Sequence, residues 1–280
     1  MAESTASRIR DSHHPAWRIE AGKNSYAIWA ARPAGNAVIF LHGFSGSTQK
    51  TWPHFPTLLP ERKELSGHDF IFYGCEGLKA RTYPSAVLFR EFLEELLTQP
   101  AEAIVNPSLE PRHHRKKKFE YNAVTLVGHS TGAVVARQAL LDALEQGIPG
   151  LSKIRLVFFA PAHTGASIAP FQAEMLGSSL PILVLQLGMN LFAPIWKDVL
   201  RDGETIRDLA ARTTQALQGT PKAKYLIATK VILAEWDKIV SPRRFCADPI
   251  PKVLPGRDHK SVCKPRGATD EVMTELLKVL

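Results

Sequence analysis

The sequence predicts a protein of the α/β class, with a mostly parallel central sheet and helices on both faces. Short apolar runs alternate along the chain with longer stretches of helical periodicity, a pattern typical of parallel strands joined by crossover helices. Two of these runs end in glycine-containing segments, as strands do where they turn sharply. The chain has 280 residues, of which 45% are hydrophobic, and this is enough for one large core.

The elements follow from the pattern in chain order. Unbroken or alternating apolar runs predict strands at 17–19, 26–31, 36–41, 69–73, 123–127, 154–160 and 223–234. Helical periodicity predicts helices at 51–59, 85–97, 133–144 and 269–280. The carboxyl ends of parallel strands meet at one edge of the sheet, which is where ligands bind in such folds.

A segment that reads Gly-His-Ser-Thr-Gly, at 128–132, lies between the strand at 123–127 and the helix at 133–144. Glycines two before and two after the serine remove side chains that would collide in so tight a turn. They also let Ser130 adopt a strained backbone conformation with its hydroxyl pointing outward. A glycine-rich bend without chemical function has the same letters, but the flanking strand and helix favour a nucleophilic serine.

Such a serine needs a histidine to take its proton and a carboxylate to orient that histidine. In a strand-turn-helix site of this kind the chain order is serine, acid, histidine. Of the ten histidines, His163 and His259 lie after Ser130. His163 closely follows the strand at 154–160, before the expected acid, and is expected to line the site. His259 lies in a loop before the last helix and is the predicted general base.

Asp237 is the predicted acid because it follows the strand at 223–234 directly. Glu235 and Asp248 are the alternatives. Glu235 shares a face with Asp237 by the two-residue strand period, but it lies further from the carboxyl edge. Asp248 lies off the strand, beyond a proline, and Asp258 is too close to the histidine in the chain for a well-aligned hydrogen bond.

The negative oxygen that develops on an attacked carbonyl needs donors, commonly two backbone amides worth about 3 kcal/mol each. One is the amide after the nucleophile, here Thr131, and the other should come from the loop after an early strand. The segment His-Gly-Phe-Ser-Gly-Ser at 42–47 follows the strand at 36–41 and would present the amide of Phe44. A phosphate-binding loop is the alternative, but neither GxGxxG nor GxxxxGK[ST] spacing is present.

Six stretches distributed over residues 38–265 carry a family resemblance. They read VIFLHGFSGS, DFIFYGC, LVGHSTGAVVARQAL, FFAPAHTGAS, KVILAEWDKIVSP and GRDHKSVCKP. With these stretches the chain resembles α/β-hydrolases of the lipase-like group that includes GPI inositol-deacylase-like and serine-active-site-containing proteins. The first and third are shared by α/β-hydrolases generally, whereas the last is more particular to this group.

The resemblance implies the α/β-hydrolase fold and a role for each matching residue. These are Ser130 as nucleophile, Asp237 as acid, His259 as base, and the amides of Phe44 and Thr131 as the oxyanion hole. Thr131 and Ala133 depart from the commonest pattern, in which many relatives have Met and a second Gly. The implied mechanism does not depend on these two side chains, but the substrates of relatives are not carried over.

Cysteine content and the amino terminus suggest a location. Three cysteines without a CxxC pair exclude a full disulfide framework, favour a reducing compartment and indicate no metal site. The first ten residues lack the apolar core of a secretory signal. We therefore expect a cytoplasmic protein, a single domain over residues 1–280, and no cofactor.

A net charge of +8 and a pI near 9.4 raise the question of an anionic partner. Part of the excess is local and comes from Arg112, Arg115, Lys116, Lys117 and Lys118. No aromatic interleaving or recognition helix accompanies this segment, so nucleic acid is not an expected partner. A solvated loop and a weak contact with acidic membrane headgroups are both open interpretations.

The interval 164–221 is too long for a plain connection and predicts a helical lid, inserted after the sixth strand. It contains an uncharged run of 22 residues, at 175–196, which is long enough to cross a bilayer by hydropathy alone. Prolines, glycines and polar residues within the run argue against a membrane span and favour an apolar lid that covers an acyl pocket. Plain core packing is the alternative. The pocket candidates are His129, His163, Leu183, Met189 and Phe192.

The sequence thus predicts a serine hydrolase that cleaves carboxylic esters of small molecules or lipids, an esterase or lipase, through an acyl-enzyme at Ser130. An acyltransferase or thioesterase would use the same three residues with another acceptor or leaving group. A membrane-associated scaffold that keeps the fold without activity is a third possibility, against which the intact Ser, Asp and His set argues.

Overall fold

One eight-stranded sheet organises the part of the chain that the structure describes. The computed structural model describes residues 12–14, 17–19, 21–43, 46–75, 82–103, 115–166 and 203–280. The strands are Trp17–Arg18 (β1), Tyr26–Ile28 (β2), Asn36–Leu41 (β3), His68–Tyr73 (β4), Ala123–His129 (β5), Ile154–Phe159 (β6), Lys230–Ala234 (β7) and Lys252–Leu254 (β8). Their order is β1-β2-β4-β3-β5-β6-β7-β8. The pairs β1/β2 and β2/β4 are antiparallel and the others are parallel, so the predicted mostly parallel sheet is confirmed.

The middle of the sheet is buried on both faces. Val124 and Thr125 are successive residues of β5 that point to opposite faces, and both are at most 4% exposed. Strands of this kind need cover on both sides, as the long apolar runs predicted. The register sets Leu41 of β3 beside Gly128 of β5, and Gly128 beside Phe158 of β6. The loops that follow these three strands therefore meet at one edge.

Helices connect the strands and cover the sheet. They are Thr48–Thr51 (α1), Phe55–Leu58 (α2), Thr82–Thr98 (α3), Pro100–Ala103 (α4), Thr131–Glu145 (α5), Glu204–Gly219 (α6) and Glu271–Leu277 (α7). Helix α5 begins directly after β5, and even Arg137 and Gln138 at its centre are buried. Arg137 is paired at 2.6 Å with the buried carboxylate of Asp248. Helix α5 is thus a fixed support for the turn that precedes it.

Prolines explain two differences from the predicted elements. The helix predicted at 51–59 is two short helices, α1 and α2, because Pro53 disfavours the helical conformation at Trp52. The strand predicted at 223–234 is shorter at its start. Pro221–Leu226 forms a 3₁₀ helix, with the side chain of Thr220 accepting a hydrogen bond from an amide of its first turn, and β7 begins at Lys230.

Within the described part of the basic segment, residues 115–118, Arg115 differs from the expected exposed loop. The Arg115 side chain is 8% exposed and forms an ion pair with Asp69, and its guanidinium lies 4.5 Å from the ring centroid of Trp29. The buried carboxylate of Asp69 needs a cation, and this explains why Arg115 turns inward and is not available to a membrane. Lys116, Lys117 and Lys118 are exposed, and their contact with acidic headgroups stays a prediction. Arg112 lies outside the described residues.

The predicted lid falls largely on residues that the structure does not describe. Residues 167–202, which include the uncharged run at 175–196, are outside the described ranges, whereas its last part contains α6. In the described ranges no helix has the length and apolar character that a membrane crossing requires. The lid itself stays a prediction.

Candidate active site

Ser130 occupies the tight turn between β5 and α5, in a strained backbone conformation. Its φ and ψ are 54° and −122°, a region that residues with a side chain rarely adopt. Three backbone hydrogen bonds hold it there. The Ser130 amide donates to the Phe159 carbonyl at 3.1 Å, and the Ser130 carbonyl accepts from the amides of Ala133 and Ala162, both at 3.2 Å. The turn is therefore tied to β6 and to the segment after it.

The glycines around Ser130 are required by close approach. A Cβ at position 128 would lie 2.6 Å from the Cα of Ala133, and one at position 132 would lie 2.5 Å from the Leu41 carbonyl oxygen. Both distances are too short for a side chain, as the motif predicted. The loop after β3 is equally close, because a Cβ on Gly43 would lie 2.7 Å from the Cβ of Ser130.

His259 lies 129 residues after Ser130 in the sequence, and its side chain contacts Ser130. Its Nε2 lies 3.0 Å from Ser130 Oγ, and its Nδ1 lies 2.9 Å from Asp237 Oδ2. Because an ionised carboxylate only accepts hydrogen bonds, Nδ1 carries the proton and Nε2 is left to accept from the Ser130 hydroxyl. Ser130 and His259 are 4% and 5% exposed, so this hydrogen-bonded chain is shielded from bulk water.

Backbone amides bond to the carboxylate oxygen of Asp237 that does not contact His259, and they fix this side chain. Oδ1 accepts from the amides of Ile239 at 2.8 Å and Val240 at 3.0 Å. Burial alone would raise the pKa of Asp237, but the hydrogen bond and charge of His259, together with the two amides, lower it below its usual value. The carboxylate therefore remains ionised at neutral pH and holds the imidazole in one orientation.

The two alternative acids have other partners. Glu235 accepts a hydrogen bond from the Gly256 amide at 2.8 Å and is exposed. Asp248 is buried in its ion pair with Arg137 and also accepts from the Ala228 amide at 2.8 Å. Of the four carboxylates considered from the sequence, Asp237 is the one that the structure joins to His259.

The loop that carries His259 is braced by its own side chains. Oδ1 of Asp258 accepts from the amides of Lys260 at 3.1 Å and Ser261 at 2.7 Å. Arg257 donates to the carbonyls of Ser261 at 3.2 Å and Lys264 at 3.0 Å, and it pairs at 2.5 Å with Asp270, the N-cap of α7. This role of Arg257 was not predicted from the sequence, because no periodic signal marks it.

The predicted pocket residues are only partly within the described ranges. His129 donates from Nε2 to the His259 carbonyl at 2.8 Å, and His163 donates from Nε2 to the Ala133 carbonyl at 3.0 Å. The His163 ring also packs between Phe158 and Phe245. Both histidines are buried, and their contact with a substrate stays a prediction. Leu183, Met189 and Phe192 lie outside the described residues, as does Phe44.

Burial dominates the electrostatics of these two histidines. It lowers the pKa of His129 to about 3, with a further contribution from the charge of His259. It also lowers the pKa of His163 well below its usual value, together with the charge of Arg137. Both rings are therefore neutral at pH 7. Within the described residues, no group of three or more His, Cys, Asp or Glu side chains is arranged to hold a metal ion.

The fold and the site together define a class. A parallel sheet carries a serine on a strained strand-to-helix turn at its carboxyl edge, and a histidine and an aspartate arrive from later loops in the order such hydrolases use. Residues 38–266 match the alpha/beta hydrolase family. The chain belongs to this family.

Solved structures support the same fold. Carboxyl esterase 2 from the mycorrhizal fungus Tuber melanosporum is 16% identical, with a TM-score of 0.57 over 95% of this chain and 86% of its own. A mature lipase from Bacillus licheniformis is 14% identical, with a TM-score of 0.50 over 89% and 91%. The type II thioesterase of the yersiniabactin pathway is 18% identical, with a TM-score of 0.50 over 91% and 96%. No curated protein matches the sequence.

Proposed function

We propose that the protein is a serine hydrolase that cleaves carboxylic esters through an acyl-enzyme intermediate. The observation that carries this proposal is the continuous hydrogen-bonded chain from Ser130 Oγ through His259 to Asp237, with distances of 3.0 and 2.9 Å. These distances are within the range that proton transfer between a nucleophile and its base requires. The similarity to esterase and lipase structures is a similarity of fold and adds no substrate.

The mechanism follows from the positions of the protons. Nε2 of His259 takes the Ser130 hydroxyl proton as Oγ attacks the ester carbonyl, and Asp237 stabilises the imidazolium that forms. The same Nε2 then returns the proton to the departing alcohol oxygen, which leaves an acyl group on Oγ. Water enters, gives its proton to Nε2 and attacks the acyl carbonyl. As this second intermediate collapses, the bond from the acyl carbon to Oγ breaks and Nε2 gives its proton to Oγ, which releases the acid and restores the Ser130 hydroxyl.

The negative oxygen of each intermediate would be held by the amides of Thr131 and Phe44. Thr131 is the first residue of α5, and the amino end of a helix favours a negative charge. Phe44 follows Gly43, which lies against Ser130. The acyl group would lie under the predicted lid, so we propose esters with an apolar acyl or alcohol part as substrates.

A panel of p-nitrophenyl esters of increasing acyl length tests this proposal. We expect the wild type to hydrolyse at least the shorter esters and Ser130→Ala to lose this activity. A fluorophosphonate probe should label the wild type at Ser130. Full activity in Ser130→Ala, or no label at Ser130, would reject the assignment. Thioester substrates and added alcohols in the same assay separate the ester hydrolase from a thioesterase and an acyltransferase.

A further inference from the structure

His129 connects the nucleophile turn to the loop of the proposed base. It is the last residue of β5 and directly precedes Ser130. Its Nε2 lies 2.8 Å from the backbone carbonyl oxygen of His259. A carbonyl only accepts hydrogen bonds, so Nε2 of His129 carries a proton and donates it. The side chain is buried, with 7% of the residue exposed.

Aromatic packing holds the His129 ring in this position. Its centroid lies 4.9 Å from that of His259, and 6.3 Å from that of Trp52, whose ring is nearly perpendicular at 83°. Burial lowers the pKa of His129 to about 3, so the ring is neutral at working pH and adds no positive charge beside His259. A neutral donor at this place orients the base without opposing its protonation.

The other braces of the His259 loop act elsewhere. Asp258 bonds to amides of the loop itself, and Arg257 bonds to loop carbonyls and to Asp270 at the start of α7. Those contacts fix the shape of the loop and its attachment to α7. The bond from His129 is different in kind, because it connects the base to the strand that ends at the nucleophile.

We propose that His129 is a positioning residue, whose Nε2–H bond to the His259 carbonyl sets the distance between His259 Nε2 and Ser130 Oγ. The proposal rests on the proposed function of those two residues. It assigns His129 a task other than the substrate contact expected from the sequence. The backbones of Ser130 and His259 are then connected through one residue, His129, which is joined to Ser130 by a peptide bond and to His259 by a hydrogen bond. This connection is short and stiff.

Two substitutions and a matched control test the proposal. His129→Leu removes the donor, whereas His129→Gln keeps an amide donor near the position of Nε2. His13→Leu is the control, since His13 is 1% exposed, its Nε2 lies 3.1 Å from the His68 carbonyl and its ring stacks on Phe70. Its partner His68 begins β4, at the edge of the sheet opposite to Ser130.

We expect His129→Leu to lower kcat about 10- to 100-fold with little change in KM, since small displacements of a catalytic group cost rates of this order. His129→Gln should recover most of the loss, and His13→Leu should not change kcat. The proton on His259 Nδ1, which is bonded to Asp237, should give a far-downfield NMR signal. That signal should persist in His129→Gln and His13→Leu and broaden or disappear in His129→Leu.

Other results would overturn the proposal. A raised KM at unchanged kcat would make His129 a substrate contact, and equal losses in the Leu and Gln variants would make it a packing residue. If His129→Leu does not fold, His129→Asn replaces it, because its shorter side chain does not reach the carbonyl. The NMR signal is read without substrate, so it tests the positioning even if the wild type hydrolyses no ester, a result that would reject the proposed function instead.

Discussion

The turn that carries Ser130 and the loop that carries His259 hold their residues in different ways. Ser130 is held by backbone, through its strained φ of 54° and through close contacts that exclude a side chain at Gly132. His259 is held by side chains, among them Arg257 and His129. A position held by backbone is sensitive to added volume. A position held by polar side chains is sensitive to the loss of a partner and to protonation.

Among the residues that hold the nucleophile and the base in place, the largest expected effect comes from Asp237, the partner that orients the base. Asp237→Asn keeps the size of the side chain but removes the charge that fixes the Nδ1 proton of His259. We expect kcat for a p-nitrophenyl ester to fall by about 10⁴ with the fold retained, since the imidazole can then adopt the unproductive tautomer. Steady-state kinetics and circular dichroism measure the two quantities.

Glu235→Gln is the matched control for this change. Glu235 lies two residues away, is exposed, and bonds to the Gly256 amide, an amide that a glutamine oxygen can also accept from. We expect nearly wild-type activity. A large loss in Glu235→Gln together with no loss in Asp237→Asn would move the acid to Glu235.

The second prediction concerns the brace between the His259 loop and α7. The side chains of Arg257 and Asp270 are 8% and 7% exposed, and loss of one partner from a buried pair leaves the other without compensation. Arg257→Met should lower the free energy of unfolding by about 3 kcal/mol and lower kcat about 10-fold. Urea unfolding and steady-state kinetics measure both.

Lys252→Met provides the comparison, because Lys252 of β8 pairs with a residue of the same helix, α7. Lys252 pairs at 2.9 Å with Glu271 of α7, and both side chains are more than 40% exposed. Exposed pairs contribute little to stability, so this variant should unfold close to the wild type. Equal destabilisation by the two substitutions would show that the Arg257 contacts stabilise the protein no more than an exposed ion pair does.

The third prediction tests the backbone-held region. Gly132→Ala would place its Cβ 2.5 Å from the Leu41 carbonyl oxygen and 2.6 Å from that of His42. Backbone must move to relieve this contact, and we expect a loss of about 2 kcal/mol in stability together with reduced activity. Gly219→Ala, where a Cβ would meet nothing within 4 Å, should be neutral or slightly stabilising. Unchanged unfolding in Gly132→Ala would contradict the tight turn.

The same contrast explains what the sequence could predict. The Ser130 turn is local, because its glycines, strand and helix are contiguous, so its letters predict its geometry. The partners of His259 come from β5 and from a later strand end, and Arg257 ties its loop to the start of α7. Chain order indicated Asp237 without indicating these roles of Arg257 and His129. Arg115 is a similar case, since a basic run in the sequence does not reveal that Asp69, 46 residues away, is buried and draws one arginine inward.

The smallest expected effect is a dependence of stability on pH through His129, where the two regions meet. In the folded protein the pKa of His129 is about 3, against an ordinary value of 6.5, so between these pH values the unfolded chain binds a proton that the folded protein does not. Stability is therefore lost as the pH falls below 6.5.

Between pH 7 and 5.5 His129 should account for about 1 kcal/mol of this loss. His129→Gln cannot take up the proton, so its unfolding free energy should fall less over that interval. Parallel losses in the wild type and His129→Gln would mean that His129 is protonated in the folded protein, and the neutral link between the turn and the loop would then be wrong.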